Sequence, residues 1–169
     1  AGADTFTTSN RPDTNWSNDP NMRAGFNLTQ SLGAQRIFMF FDMSMIPSNA
    51  TIESAQLRLF LNSGAPNGDA TMGLLGRFLS TSWDASTLTW NSYNPSWGAE
   101  IGVGQVDTVV GWKQANVTAP VAEWVSGARP NNGVMIQGDE TPQNRERVFT
   151  TLNAANGLHP RFVVTYNVN

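Results

Sequence analysis

The sequence predicts an all-β domain, a sandwich or barrel with one short helix. Three observations predict it. Aliphatic and aromatic runs are many and short, the two densest of them alternate with period two, and Gly, Pro, Asn and Asp bound the runs.

The densest stretch follows Ala34, where QRIFMFFDMSMIPSNATIESAQLRLFLNSG reads as two strands split by a Pro-Ser-Asn turn. In the first, Ile37, Met39 and Phe41 alternate with Arg36, Phe38, Phe40 and Asp42. In the second, Leu57, Leu59 and Leu61 alternate with Gln56, Arg58, Phe60 and Asn62. Successive side chains of a strand point to opposite faces, so each run has one apolar face. Shorter strands are expected at MGLLGRFLS, GVMIQG, RVFTTL and RFVVTYNV. One segment, NVTAPVAEWVSG, repeats Val117, Val121, Trp124 and Val125 at helical spacing. Thr118 is the expected N-cap, Pro120 fits the first turn, and Gly127 suits a left-handed exit. No linker or repeat divides the chain, so residues 1–169 are expected to form a single β-sandwich domain.

Charged residues are only 14% of the 169 residues, against roughly 25% in an ordinary soluble domain. Polarity comes instead from Asn, Thr, Ser, Gln and Gly, a composition typical of extracellular proteins and suited to exchanging hydrogen bonds with sugar hydroxyls. A net charge of −3 and a single lysine, Lys113, argue against a nucleic-acid surface, which needs a dense basic stripe. No apolar run approaches the roughly 20 residues that span a bilayer, so no membrane insertion is expected. The start, AGADTF, lacks the basic and apolar regions of a signal peptide, as expected of a chain already processed. With no cysteine there are no disulfides or thiolate metal sites.

Five segments in order carry a resemblance: ADTF at 3–6, RIFMFFDMSMIPSNATIESAQLRLF at 36–60, WDASTLTWN at 83–91, NVTAPVAEWVSGARPNNGVMIQG at 116–138 and VFTTLNAANGLHPRFVVTY at 148–166. Together they resemble the DNRLRE-type domain family over nearly the whole chain. FDMS at 41–44 has Met where that family usually has Leu, and the GFNLTQSLGAQ loop has no counterpart. The resemblance implies a jelly-roll-like antiparallel β-sandwich in a secreted or cell-surface protein. It also implies, for some members, a module that binds acidic polysaccharide such as alginate.

Two residue sets are candidates for such binding. Trp16, Trp97 and Trp112 lie in turn-like contexts (TNWSND, NPSWGAE, VVGWKQ), where an exposed indole can cover the apolar face of a pyranose. Trp90 and Trp124 read as core anchors, and Trp83 is undecided. Arg36, Arg58, Arg77 and Arg147 sit in strand-like runs and, on adjacent strands, would line one face. Guanidinium forks grip carboxylates in bidentate fashion, which suits uronate polymers. The competing expectation is structural pairing with Asp42, Glu53, Glu123 or Glu146 across the sheet.

The only cofactor expected is a structural calcium, with Asp4, Asp13, Asp19 and Asp139 near turns as its ligands, although no EF-hand pattern is present. Sequons at Asn15, Asn27, Asn49 and Asn116 matter only in a eukaryotic secretory pathway. Catalysis is not expected. His159, the only histidine, has no nucleophile elbow to serve, and Asp139 and Glu140 are adjacent and so point apart. A lyase built on His159 or Tyr166 has no spacing to support it. Two non-catalytic functions remain: a polysaccharide-binding module, or a structural subunit that assembles with copies of itself, which low charge favours.

Overall fold

The computed structural model describes residues 2–93 and 97–168, and for residues 97–99 the backbone alone. Ten strands and one helix follow in the order β1 (Gly2–Thr8), β2 (Asn21–Asn27), β3 (Gly33–Phe41), β4 (Thr51–Ala65), β5 (Met72–Leu79), β6 (Trp97–Val106), β7 (Gly111–Asn116), α1 (Thr118–Val125), β8 (Val134–Gln137), β9 (Arg145–Thr150) and β10 (Arg161–Asn167). Every pairing is antiparallel. This is the expected all-β, sandwich-like architecture with a short helix.

The strands form a single curled sheet whose halves face each other. One wall runs β1-β3-β8-β5-β6. The other holds β4, flanked by β10 and β7 along its first half and by β9 along its second, with β2 beyond. The end of β2 also pairs with the start of β3, which joins the walls. The two dense runs, β3 and β4, are consecutive yet unpaired, because the turn between them carries the chain from one wall to the other.

Period two decides what fills the interior. Ile37 and Met39 of β3 meet Leu57, Leu59 and Leu61 of β4, together with Met22, Met72, Leu74, Ile136 and Phe149, in one apolar core. Trp124 of α1 closes one end of it, edge-on to Phe78 at 5.5 Å. The outward face of the β3 wall is not free. Residues 80–93 fold across it, packing Trp83, Leu88 and Tyr93 on Phe38, Leu79 and Met135. Trp83 therefore belongs to this second cluster, and its indole N–H donates to the carbonyl of Asn132 at 2.9 Å. Trp90 lies outside both clusters, against the Arg36 guanidinium at 4.4 Å.

The helix start differs from expectation. Val117 is the N-cap and offers no side-chain hydrogen bond. Asn116 does that work, its Oδ1 accepting the Thr118 backbone N–H at 3.0 Å and hydroxyl at 2.7 Å. The Thr118 hydroxyl is drawn away because it also accepts the Ala55 N–H at 3.0 Å, tying the helix to β4. Gly127 takes the expected left-handed exit at φ 75°. Asn15 and Asn27 each donate their side-chain amide to a partner within the fold, so neither amide is open to a glycan.

Candidate functional site

The outward face of the second wall, unlike that of the first, is left to solvent. Because Leu57, Leu59 and Leu61 point inward, β4 turns Gln56, Arg58 and Phe60 outward. Register then sets their neighbours. Arg58 stands between Arg161 of β10 and Gln114 of β7, Phe60 opposite Trp112, and Gln56 between Val163 and Asn116. Trp112 is 42% exposed, edge-on to Phe60 at 5.5 Å, and the Arg161 guanidinium reaches over its ring at 5.0 Å from the centroid. Arg58, Trp112, Gln114 and Arg161 enclose a surface hollow of about 230 Å³.

The electrostatics of this hollow are unusual. Arg58 and Arg161 are directly opposed across neighbouring strands, where like charges repel. Among the described residues neither makes an ion pair, although most of the other arginines do. Arg58 Nη2 donates to Gln56 Oε1 at 3.2 Å, while its Nε is enclosed without a partner. Two guanidinium forks, an exposed indole and two amide side chains thus share one patch. An incoming carboxylate would relieve the repulsion, and a flat apolar sugar face would cover the ring.

The other expected arginines go elsewhere, so the four do not line one face. Arg36 makes a bidentate contact with Glu140 at 2.6 and 2.9 Å, and Arg77 pairs with Glu100 at 2.9 Å, both on the first wall. Their partners differ from the four carboxylates expected. Arg147 is fully buried, its fork spent on the carbonyls of Val106, Ala65, Glu146 and Ala70 and on Asp69. Only Arg58 reaches the solvent face of the second wall. Its counterpart Arg161 opens a strand-like run that carries no sign of a site in sequence, and only the β4–β10 register shows that the two meet.

The tryptophans separate as well. Trp16 is partly buried against the core and stacks on Phe6 at 5.1 Å, because the turn that carries it folds back over β1. Trp97 opens β6, and its side chain lies outside the described residues. Trp112 lies within β7, not in a turn as its context suggested. GWKQAN alternates, with Trp112, Gln114 and Asn116 outward and Lys113 and Ala115 inward.

The four aspartates expected to hold calcium do not converge. Asp13 accepts from Asn91, Asp19 from the backbone of Asn21, and Asp139 from Thr141, Gln143 and Arg145. Among the described residues no three of His, Cys, Asp and Glu group so as to hold a metal ion. His159 Nε2 lies 2.7 Å from the Ala154 carbonyl, which makes that nitrogen a donor. Glu140 is held by Arg36 and Asp139 by its own turn, so these two carboxylates are separately engaged.

Asp4 has a different consequence. It is buried on β1 and accepts the Leu152 N–H, and burial pushes its carboxyl up from 3.8 to about 6 against the pull of that N–H and of His159. The folded chain thus keeps a proton that the unfolded chain releases. The associated stability is full below pH 3.8 and is lost as pH rises through about 6, a change on the order of 3 kcal/mol. Thermal melts should show wild type less stable at pH 7 than at pH 4.5, and Asp4→Asn, which keeps the acceptor without the charge, should flatten that difference. An undiminished difference in the variant would remove Asp4 as its source.

The sequence model of carbohydrate-binding module family 96 matches residues 1–166. The chain belongs to that family. No curated protein matches it. Membership in carbohydrate-binding module family 96 supports the sugar-binding part of the earlier resemblance and does not carry the DNRLRE-type name. Modules of this kind are typically non-catalytic and extracellular. No helix among the described residues is long and apolar enough to cross a membrane.

Proposed function

We propose that this module is a non-catalytic, secreted binder of acidic polysaccharide, holding uronate carboxylates between Arg58 and Arg161 and stacking a sugar ring on Trp112. The observation that carries the reading is the opposed arginine pair, without a carboxylate partner among the described residues, beside an exposed indole. Two guanidiniums kept together at a cost in repulsion suit a ligand that brings the missing negative charge. The surrounding Gln56, Gln114 and Asn116 are neutral donors and acceptors for hydroxyls.

Calorimetric titration with alginate oligomers and with a neutral glucan tests it. Wild type should bind the polyuronate and much less of the glucan, and Trp112→Ala should weaken that binding by roughly tenfold or more, since truncating an aromatic anchor at the centre of a binding surface costs about 2 kcal/mol. Equal affinity for the neutral chain would replace the acidic-ligand reading.

A second reading, assembly with copies of itself, draws on the outer edge of β10. Among the described residues that strand pairs only with β4, and Val163 and Tyr166 on it and Val168 just past it are exposed beside an edge that another strand can extend. Light scattering separates the two. Large assemblies without polysaccharide favour the edge, whereas a monomer that shifts only on adding alginate favours the arginine face.

A further inference from the structure

The apolar core reaches the surface at one edge of the sandwich. On the open side of the sandwich, among the described residues, β6 pairs only with β5 and β7 only with β4, so two sheet edges face each other without a ladder between them. Between them lies a cleft of about 230 Å³, open to solvent along one side. Its floor is apolar, built from Leu57, Leu59, Leu74 and Phe149, all of them core residues.

The cleft follows from what the two lips lack. The inward residues of β7 are Lys113 and Ala115, and the lysine turns aside to Asp107 at 2.5 Å, leaving only a methyl group. Across from them, opposite Leu74, Gly104 stands at φ 104° with nothing within 4 Å of where a Cβ would be.

Its position links it to the arginine face. Trp112 and Gln114 line both this cleft and the hollow that holds Arg58 and Arg161. A chain lying on that face and crossing the edge of β7 therefore passes the mouth. A sugar ring does not suit the interior, because its hydroxyls would lose hydrogen bonds against four apolar side chains. A short acyl substituent does. Its methyl group matches the floor, and its ester carbonyl would stay at the lip, where Gln105, Gln114 and Lys113 supply N–H donors.

We infer that the cleft between β6 and β7 is a subsite for the O-acyl group of an esterified uronate residue, so that the module selects acetylated over unacetylated stretches of an acidic polysaccharide. This rests on the reading of the Arg58–Arg161 face as a polyuronate site and adds a specificity to it.

The test compares O-acetylated polymannuronate with the same polymer after mild alkaline de-O-acetylation, titrated into wild type and Ala115→Leu. Leucine at 115 fills the mouth from a half-buried strand position without touching the arginines. Wild type is expected to bind the acetylated polymer about tenfold tighter, the usual discrimination of an apolar pocket for one small group. Ala115→Leu is expected to bind both polymers equally, at the level of wild type with the de-acetylated one. Equal binding of the two polymers by wild type overturns the subsite and leaves the arginine face standing, as does a preference that survives in Ala115→Leu. Binding of neither polymer overturns the arginine face itself, and the subsite with it. Methyl NMR of wild type gives a readout free of any folding defect in the variant. Acetylated oligomers should shift the Leu57, Leu59 and Leu74 methyl resonances and de-acetylated ones should not; identical spectra would overturn the subsite.

Discussion

Arg147→Ala is expected to lose about 3 kcal/mol of stability or more, since each buried acceptor left without its donor costs about 1–3 kcal/mol. The reason lies in the acceptors it would abandon. Arg147 is 0% exposed, and its Nε, Nη1 and Nη2 hold the carbonyls of Val106 at the end of β6, of Ala65 at the end of β4 and of Ala70 in the β4–β5 connection, along with Asp69. Without the guanidinium those carbonyls face a hole with no donor, and buried acceptors left unpaired are costly. Asp69 keeps Arg145 at 2.8 Å, so the charge itself is not orphaned and the loss falls chiefly on the loop. In a domain of this size the midpoint of thermal unfolding, followed by circular dichroism, should fall by roughly 10 °C or more. A shift within a degree of wild type would mean that water replaces the arginine and that it does not organise the connection.

The second large effect is on binding. Replacing Arg58 and Arg161 together with Gln should weaken polyuronate affinity by roughly a hundredfold or more, because each hydrogen bond from a charged group is worth about 1.5–3 kcal/mol. The same double variant should fold normally, and relief of the Arg58–Arg161 opposition should leave its melting temperature equal to wild type or slightly higher. Arg58→Lys with Arg161→Lys keeps the charge and removes the planar fork, so it should fall between the two. Raising salt should weaken wild-type binding and leave the glutamine variant nearly unaffected. Retention of full affinity in the glutamine variant would move the site off this face. The contrast between Arg147, whose loss should affect folding, and Arg58, whose loss should affect binding, separates two arginines that look alike in sequence.

That likeness marks where reading the chain alone stops. Alternation in 36–42 and 56–62 is a local property, set by which side chains a pleated strand can bury, and it reliably assigns Leu57 to the core and Arg58 to the outer face. The same logic applies to the helix, whose Val121, Trp124 and Val125 are buried as their spacing requires. Strands β2, β6 and β7 escape the pattern because glycines and polar residues dilute it, as in GWKQAN, which has one wet face and a small inward residue, and GFNLTQSLGAQ is not a loop throughout, since it holds the end of β2 and the start of β3.

Whether an outer face stays wet is not local. Phe38 and Phe60 alternate in equivalent ways, but residues 80–93 cover Phe38 to 2% exposure and no equivalent segment among the described residues crosses β4 beside Trp112. Nor is charge pairing local. Arg36 finds Glu140 at a separation of 104 residues, Arg77 finds Glu100, and Arg147 is swallowed by a connection that begins at Ala65. Composition and period two by themselves determined an all-β sandwich with one short helix and an apolar interior. Only the tertiary structure decided that Arg58 would meet Arg161, because cross-strand register between β4 and β10 places side chains roughly 5 Å apart that lie a hundred residues apart in the chain.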